Sequence, residues 1–461
     1  MDKKFLPAAL AAAVLALAGC GSSSSSSTPE VDPPPPPAET STVRIVHASA
    51  DAPNVNILID GDVAFEDVPF LAATPLTQLD SGDYEIAVEG RLPGGEVATV
   101  IGPVTLAFEA DTQYNVLAIG DVADESIEPL VLTQPANEIE AGNVRARVVH
   151  AAPGAPEVEV YVTAPGDLAP GEEPLGSFAF GEALDPVEVS AGDYQIRVAV
   201  PGDEPTVVFD SGAIALPDGA DLLIVAVTNT GPGDSPITLL VSDGTDAFTL
   251  LDIGTPATVR VVHASPDAGN VDVLVDGAVV VSNLAFPEFT DYLSLAPGLY
   301  DVAVTPAGNP GVEAISVDDL ELEIGTEYAV IAVGELAPAT LDALLLVDDN
   351  RRIATEAKVR IVHGSPNAGA VDIYVTGAGE AIDDAEPAIA GFEFLEQTGY
   401  LSLAAGDYDV TVTAAGTTTP AIGPATITVE ASGIYTAIAR DPLFGEIDFG
   451  LILLDDFVLV D

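Results

Sequence analysis

Histidine is the residue of this chain best suited to acid–base or metal chemistry, and all four copies stand in one recurring motif. The motif reads [VA]-R-[IV]-V-H, and its histidines are His47, His150, His263 and His363. A histidine in such a motif could act as a general base or as a metal ligand. In the first and third copies a serine and an aspartate follow, as Ser49 and Asp51 do, so the parts of a hydrolytic triad are present.

A structural interpretation of the same motif explains all four copies. The serine and the aspartate are both missing from the second copy, and neighbours along one strand rarely reach the geometry of a triad. His47 shares a strand face with Val43 and Ile45, which indicates that its ring points inward. We therefore predict that each ring hydrogen-bonds the turn just after it. On this interpretation the chain is not an enzyme, and it has no catalytic residue, dedicated metal site or cofactor.

Arginine occupies a second fixed position in the motif, on the strand face opposite the histidine. The four residues are Arg44, Arg147, Arg260 and Arg360. Only 13 Lys and Arg residues stand against 73 Asp and Glu, so four arginines in one position need a reason. We predict cross-strand partners on the next strand along the chain. These partners are Asn56, Glu159, Asp272 and Asp372. Recognition of a ligand carboxylate is the alternative.

The charge of the chain excludes one class of function and indicates another kind of partner. A formal net charge of −60 excludes a nucleic-acid binder, which needs a basic face to meet phosphate. The sequence contains no calcium-loop motif of the D-x-[DN]-x-[DN]-G type. We therefore expect divalent cations to bind loosely at the acidic surface. The single cysteine excludes an intrachain disulfide framework.

The N-terminal sequence predicts a signal peptide and a lipid anchor. Two lysines and then an apolar run, FLPAALAAAVLALA, are typical of a signal peptide, here residues 1–19. The following Leu17-Ala18-Gly19-Cys20 resembles a bacterial lipobox, which implies that Cys20 is lipidated. In Gram-negative lipoproteins an aspartate after this cysteine favours the inner membrane, so Gly21 implies the outer membrane. The alternative is an ordinary signal peptide with an incidental cysteine. Residues 20–42, rich in Ser and Pro, predict a tether.

The remaining sequence consists of four copies of one β-rich module. Successive motif histidines are 103, 113 and 100 residues apart, which fits domains the size of an immunoglobulin-like sandwich. Short alternating runs such as Val55-Asn56-Ile57-Leu58-Ile59 end at turn residues and predict half-buried strands. We predict an all-β chain of four tandem immunoglobulin-like antiparallel β-sandwiches. Their bounds are 43–137, 144–250, 257–350 and 357–461. The short linkers between them predict a bent, semi-rigid rod.

Three spaced motifs in each copy resemble one known family. They are the V-R-[IV]-V-H-x-[SA] opening, a D-A-[PG]-x-V-[DNE]-[VI] strand and a later G-x-Y strand. Together they resemble the domain of unknown function 4397 family, over roughly residues 42–461. The second copy departs most, with Ala152 in place of serine and Gly154 in place of Asp or Asn. The resemblance implies β-sandwiches and an envelope location, and it brings no catalytic residue.

These observations together predict a lipid-anchored protein of the bacterial cell envelope. It lies in the outer membrane, facing the periplasm or the cell surface, and acts as a non-catalytic structural or adhesive stalk. The alternative is a ligand-binding lipoprotein that recognises a glycan, a peptide or a partner protein through loops at the sandwich ends. Aromatic and charged residues are spread thinly over the loops of all copies, which favours the stalk.

Overall fold

Strands of β-structure begin at Thr40 and recur through all four repeats. The computed structural model describes residues 39–166, 172–202, 205–337, 340–442 and 447–457. The predicted signal peptide, Cys20 and most of the tether lie outside the described residues. Thr40–Thr42 belong to the first strand, where they pair with residues 78–80. Sheet pairing therefore already includes the polar Thr-Ser-Thr sequence at the end of the predicted tether, residues 20–42.

The first two repeats contain eighteen strands and one short 3-10 helix among the described residues. In the first repeat they are β1 (Thr40–His47), β2 (Val55–Ile59), β3 (Asp62–Val68), β4 (Ala72–Ala73), β5 (Thr77–Asp80), β6 (Gly82–Arg91), the 3-10 helix Pro93–Gly95, β7 (Val97–Phe108), β8 (Thr112–Ile119) and β9 (Glu128–Pro135). In the second repeat they are β10 (Asn143–His150), β11 (Val158–Thr163), β12 (Gly176–Phe178), β13 (Val187–Ser190), β14 (Gly192–Val200), β15 (Thr206–Leu216), β16 (Asp221–Thr228), β17 (Ile237–Ser242) and β18 (Ala247–Leu250).

The last two repeats contain sixteen strands and one short 3-10 helix among the described residues. In the third repeat they are β19 (Ala257–His263), β20 (Val271–Val275), β21 (Ala278–Leu284), β22 (Leu293–Leu295), β23 (Gly298–Pro306), β24 (Ile315–Leu322), β25 (Glu327–Val333) and β26 (Asp342–Asp348). In the fourth repeat they are β27 (Ala357–His363), the 3-10 helix Pro366–Ala368, β28 (Val371–Gly377), β29 (Ile389–Phe392), β30 (Leu401–Leu403), β31 (Gly406–Ala414), β32 (Pro420–Val429), β33 (Ile434–Arg440) and β34 (Gly450–Asp455).

Each repeat forms two sheets, and we call the one that contains the V-R-[IV]-V-H strand the motif sheet. The motif sheets have the orders β4-β1-β8-β9 with β5 beside β1, β13-β10-β16-β17-β18, β22-β19-β25-β26 and β30-β27-β33-β34. The second sheets have the orders β3-β2-β6-β7, β12-β11-β14-β15, β21-β20-β23-β24 and β29-β28-β31-β32. The predicted all-β sandwich class is confirmed. Within each motif sheet the motif strand also pairs in parallel with a strand some 70 residues later, which the sequence pattern does not reveal.

The two sheets of a repeat differ in how many of their faces are buried. In the second sheets strands such as β3 and β21 keep mostly exposed side chains, as expected of a sheet with one solvated face. In the motif sheets all seven residues of β19 are buried, and so are six of the seven residues of β25. Side chains alternate between the two faces of a strand, so both faces of the motif sheet are covered.

The covered outer face of each motif sheet packs against the motif sheet of a neighbouring repeat. Val46 and Leu117 of the first repeat share one buried cluster with Val149 and Leu223 of the second. A second buried cluster joins the third and fourth repeats. It contains Val262, Ala329 and Ile331 of the third repeat and Val362 and Ile438 of the fourth. Repeats 1 and 2 therefore form one four-layered pair of sandwiches, and repeats 3 and 4 form a second.

The predicted rod of separate domains is wrong, because neighbouring repeats share buried faces and residues 39–461 form one unit. The chain between repeats 3 and 4 also contacts repeat 1. Arg351 Nη1 donates to the carbonyl oxygens of Ala50 and Ala52 at 3.1 and 2.9 Å, and its guanidinium lies over the Phe70 ring. Over the residues that the structure covers, no helix has the length and apolar character to cross a bilayer.

Candidate functional site

The four motif histidines make the same contact with the turn that follows their strand. Nε2 of each ring lies 2.7–3.0 Å from the carbonyl oxygen of the residue six positions later. The pairs are His47–Pro53, His150–Pro156, His263–Gly269 and His363–Gly369. A carbonyl oxygen can only accept, so Nε2 carries the proton and donates it to this bond. Each histidine closes its turn from within the core, where its exposed fraction is at most 2%.

The second ring nitrogen is also engaged in three of the four repeats. Nδ1 accepts a hydrogen bond from the backbone N–H of Ala152, Ser265 and Ser365 at 3.3–3.4 Å. Burial lowers the pKa of His47 to about 4 and also lowers the pKa of His263. The imidazoles of His47 and His263 are therefore neutral at neutral pH. With one nitrogen donating and the other accepting, His263 has no free lone pair with which to take a proton from a substrate.

The serine and aspartate of the candidate triad serve a different contact. The Asp51 carboxylate accepts hydrogen bonds from the backbone N–H groups of Val122 and Ala123, both at 2.8 Å. Ser49 Oγ donates to Asp51 at 3.4 Å. Asp267 repeats the arrangement in the third copy with the N–H groups of residues 336 and 337. Asp51 and Asp267 therefore hold the loops that follow β8 and β25. Among the described residues, no hydrogen bond joins a serine hydroxyl to a motif histidine ring.

The predicted partners of the motif arginines are wrong. Asn56, Glu159, Asp272 and Asp372 lie in β2, β11, β20 and β28, which belong to the second sheets. The chain crosses from one sheet to the other at the turn after the motif histidine, so consecutive strands are not neighbours. Asp272 instead accepts the backbone N–H groups of Asn283 and Gly308 at 2.7 and 2.8 Å. Asp372 does the same with Gly391 and Gly416.

The arginines instead reach across the interface to the paired repeat. Arg44 Nη1 donates to the carbonyl oxygen and the hydroxyl of Ser242 in β17, at 3.0 and 3.1 Å. In return, Arg147 Nη1 donates to the carbonyl oxygen of Thr133 in β9 at 2.9 Å. The contact is reciprocal, because the motif arginine of each repeat binds the strand of the other repeat that pairs with its β8 or β16 strand. This is the pattern of a two-fold symmetric interface, here formed within one chain.

Between repeats 3 and 4 the same reciprocal contact consists of ion pairs between arginines and aspartates. Arg260 lies 2.5 Å from Asp455 of β34 and 2.9 Å from Asp348, and Arg360 lies 2.5 Å from Asp348 of β26. The Asp348 side chain is fully buried between the two guanidinium groups and also accepts a hydrogen bond from the Tyr292 hydroxyl. Arg360 stacks on Tyr400, with 4.6 Å between its guanidinium carbon and the ring centre.

The two interfaces differ in how well their arginines are compensated. Burial lowers the pKa of Arg44 to about 10. The carboxylate of Asp221, which acts in the opposite direction, is 4.0 Å away and only partly compensates for the burial. Burial also acts on Arg260, but the charges of Asp348 and Asp455 outweigh it and raise the pKa of this guanidinium. Asp348, Asp455 and Ser242 were not predicted from the sequence. A signal for the two aspartates exists, because the last strands of repeats 3 and 4 both end in an Asp-Asp pair.

The described residues provide no ready-made cation site. No group of three or more His, Cys, Asp or Glu side chains in them is arranged to hold a metal ion. Many carboxylates already accept backbone N–H groups of other segments of the chain, as Asp51 and Asp272 do. Loose binding of divalent cations by the acidic surface stays a prediction. Cys20, the predicted lipidation site, lies outside the described residues.

Comparison with known sequences gives a family and no activity. A family model described as "Domain of unknown function (DUF4397)" matches residues 41–161, 257–374 and 379–460, which is more than half of the chain. The resemblance inferred from the repeated motifs is therefore confirmed. Most of the second repeat, the copy that departs most from the motif, falls between the matched segments. No curated protein compared with the chain is significantly similar to it.

Comparison with solved structures yields only weak likenesses. The Bacillus anthracis TIE protein is 10% identical over 85% of this chain and 68% of its own, with a TM-score of 0.15. The pneumococcal glycogen-degrading virulence factor SpuA is 10% identical over 58% and 37%, with a TM-score of 0.16. A putative cell adhesion protein from Parabacteroides distasonis is 10% identical over 68% and 99%, with a TM-score of 0.13. Scores this low support no argument about fold or function.

Proposed function

We propose a structural function for this chain, which belongs to the DUF4397 family: it is a non-catalytic structural or adhesive protein of the bacterial cell envelope, held there by a lipid on Cys20. One observation supports the structural part above all others. The four histidines and four arginines of the V-R-[IV]-V-H motif are buried and hydrogen-bonded to other parts of the chain. The repeated motif thus stabilises turns and joins neighbouring repeats.

The paired architecture suits a protein that has to remain folded outside the cytoplasm. Removing residues 1–19 and acylating Cys20 would leave a chain without any free thiol. Such a chain has no disulfides to stabilise it, so its stability must come from packing. The shared faces of repeats 1 and 2 and of repeats 3 and 4 bury apolar surface that isolated sandwiches would expose.

The anchor is tested by substituting the lipidated residue in the native host or in a Gram-negative host. Cys20→Ser should abolish incorporation of labelled fatty acid and leave the protein unprocessed or released from membranes. Ser22→Ala is the matched control, since it changes a neighbouring hydroxyl residue without touching the acylated atom. If Cys20→Ser is still processed and membrane-bound to the wild-type extent, the proposed anchor is wrong.

The proposed outer-membrane location has its own test. Gly21→Asp places an aspartate directly after the acylated cysteine, where the resemblance to Gram-negative lipoproteins implies retention in the inner membrane. Wild-type protein should therefore fractionate with outer membranes and the Gly21→Asp variant with inner membranes, while both are acylated equally. Recovery of the wild type in the inner-membrane fraction would contradict the proposed location and leave the anchor itself intact.

A further inference from the structure

The two sheets of the fourth repeat enclose a cavity of about 890 Å³. Apolar side chains from both sheets line it, among them Ile361, Ile373, Phe392 and Val412. The same place between the sheets is nearly filled in the first and second repeats, where about 30 and 10 Å³ remain, and holds about 220 Å³ in the third. The fourth sandwich therefore contains a space of the size of small-molecule pockets, which measure roughly 300–1,000 Å³.

The fourth repeat has smaller side chains than the other repeats at two matching sheet positions beside this space. One position pairs with the glycine that begins the neighbouring strand of the second sheet. The residues there are Phe108, Leu216, Leu322 and Val429 in chain order. A second position lies in the middle of the motif-sheet strand that pairs in parallel with the motif strand. The residues there are Val116, Ile224, Val330 and Ala437. At both positions the fourth repeat has the smallest residue. Ala437 lines the cavity, whereas Val429 lies beside it, packed with Val359 and Tyr435.

An empty cavity of this size would be very unfavourable. Engineered apolar cavities destabilise a protein in proportion to their volume, so a large apolar space between two sheets is unfavourable when nothing fills it. Water is a poor filler, because buried water needs polar partners and apolar cavities stay dry. The lining of aliphatic side chains and Phe392 suits a hydrocarbon chain instead.

The mouth of the cavity selects against an anionic head group. Glu430 and Asp456 bring two carboxylates to it, and Arg352 brings one guanidinium. Arg352 is already engaged, since it donates to both carboxylate oxygens of Asp456 at 2.5 and 3.0 Å and to the Ser432 carbonyl oxygen at 2.7 Å. A carboxylate or phosphate on a ligand would therefore meet excess negative charge, which the net charge of −60 on the chain reinforces.

We propose that the fourth repeat binds one neutral long-chain molecule, whose hydrocarbon chain fills the cavity between the sheets and whose uncharged hydroxyl, ester or amide head lies at the mouth. This binding site goes beyond the structural function proposed above and does not depend on it. The first two repeats lack the space for such a ligand, so the site belongs to the fourth.

The chain itself contains a competing occupant. Phe457 lines the mouth of the cavity and packs edge-on against Tyr435, with 5.0 Å between the ring centres. The sequence continues from Phe457 with Val458-Leu459-Val460, which is apolar. Insertion of these residues would fill the cavity from within the chain, and the experiment must distinguish this outcome from ligand binding.

The experiment measures displacement of the neutral apolar fluorophore N-phenyl-1-naphthylamine from the full chain. We expect one fluorophore site per chain, displaced by 1-hexadecanol about tenfold more effectively than by palmitate, which has the same chain length and a charged head. Ala425→Phe and Ala437→Val enlarge side chains that line the cavity and should each weaken binding by about tenfold. Val312→Phe, on the exposed surface of the third repeat, is the matched control and should bind as the wild type does.

Each other result would overturn the proposal. Equal displacement by palmitate would refute the neutral head group, and unchanged binding by both core variants would place the fluorophore elsewhere. If Ala425→Phe fails to fold, as judged from its melting curve, the smaller Ala437→Val change decides alone. Absence of binding to the wild type, with binding appearing in Leu459→Asp, would show that the C-terminal residues fill the cavity. Absence of binding in both would refute a ligand site altogether.

Discussion

Replacing Asp348 with asparagine should lower the free energy of unfolding strongly, although it hardly changes the shape of the side chain. Its side chain is fully buried, lies 2.5 Å from Arg360 and 2.9 Å from Arg260, and accepts the Tyr292 hydroxyl. Asp348→Asn keeps the volume and removes the charge. Arg260 retains Asp455 at 2.5 Å, whereas Arg360, 1% exposed, loses the carboxylate with which it pairs.

The expected loss is about 3–5 kcal/mol, the usual cost of removing one partner from a buried ion pair. A domain is stable by only about 5–15 kcal/mol, so this loss is a large part of the total. Repeats 3 and 4 share one buried cluster, so both should be destabilised together. In the Asp348→Asn background, Arg360→Met should recover part of the loss, because it removes the uncompensated charge.

The assay is chemical denaturation followed by far-UV circular dichroism and by tyrosine fluorescence, since the chain has no Trp. Asp318→Asn, an exposed aspartate of the third repeat, is the matched control and should change the free energy of unfolding by less than about 0.5 kcal/mol. A loss of under about 1 kcal/mol for Asp348→Asn would refute the buried cluster as a source of stability.

Three further predictions concern the histidines and the surface charge. His263→Ala should destabilise the third repeat by about 1–3 kcal/mol, because the Gly269 carbonyl loses its donor; denaturation curves that match the wild type would contradict this. Burial lowers the pKa of His47 from 6.5 to about 4, so the unfolded chain takes up a proton first as pH falls. Stability should therefore drop between pH 6.5 and about 4, by up to about 3 kcal/mol, and His47→Gln should flatten that slope in a pH series of melting curves. With a net charge of −60, the chain should melt higher in 1 M than in 10 mM NaCl, since the Debye length falls from about 30 to about 3 Å. Millimolar Mg²⁺ should act nearly as well as Ca²⁺, and a response to micromolar Ca²⁺ alone would indicate a specific site.

The sequence contains enough information to predict the sandwich class, because the determinants are local. Alternation along strands such as β2 and β20, turn residues between them and four spaced copies of one motif all report short-range preferences. The direction in which His47 points also follows from strand periodicity, since it shares a face with Val43 and Ile45. None of these inferences requires knowledge of which strands become neighbours.

The pairing of repeats and the partners of the arginines depend on long-range geometry, and both were predicted wrongly. Periodicity tells which residues share a face, but it does not tell whether the second face meets water or another sheet. A signal was nonetheless present: β16 and β25 are apolar almost throughout, as strands buried on both faces are. The order of the strands along the chain predicts a partner for Arg44 on β2, yet the chain changes sheets between β1 and β2.

The cavity of the fourth repeat shows a third kind of limit. Ala437 looks unremarkable in the sequence, and only the sheet register shows that it is equivalent to Val116, Ile224 and Val330 of the other repeats. Once the register is known, its small size becomes informative. Residue volume therefore indicates a site only after topology has defined which positions are equivalent.

Hydrogen exchange on the full chain tests most directly the central claim that motif arginines join the repeats in pairs. In the wild type, the backbone amides of β19, β25, β27 and β33 should exchange slowest among those of repeats 3 and 4, since these strands form the shared face. Asp348→Asn should accelerate exchange in β19 and β25 and, equally, in β27 and β33 of the neighbouring repeat, and leave β1 and β10 unchanged. Acceleration confined to the third repeat would show that its sandwich stands alone, and would contradict the account.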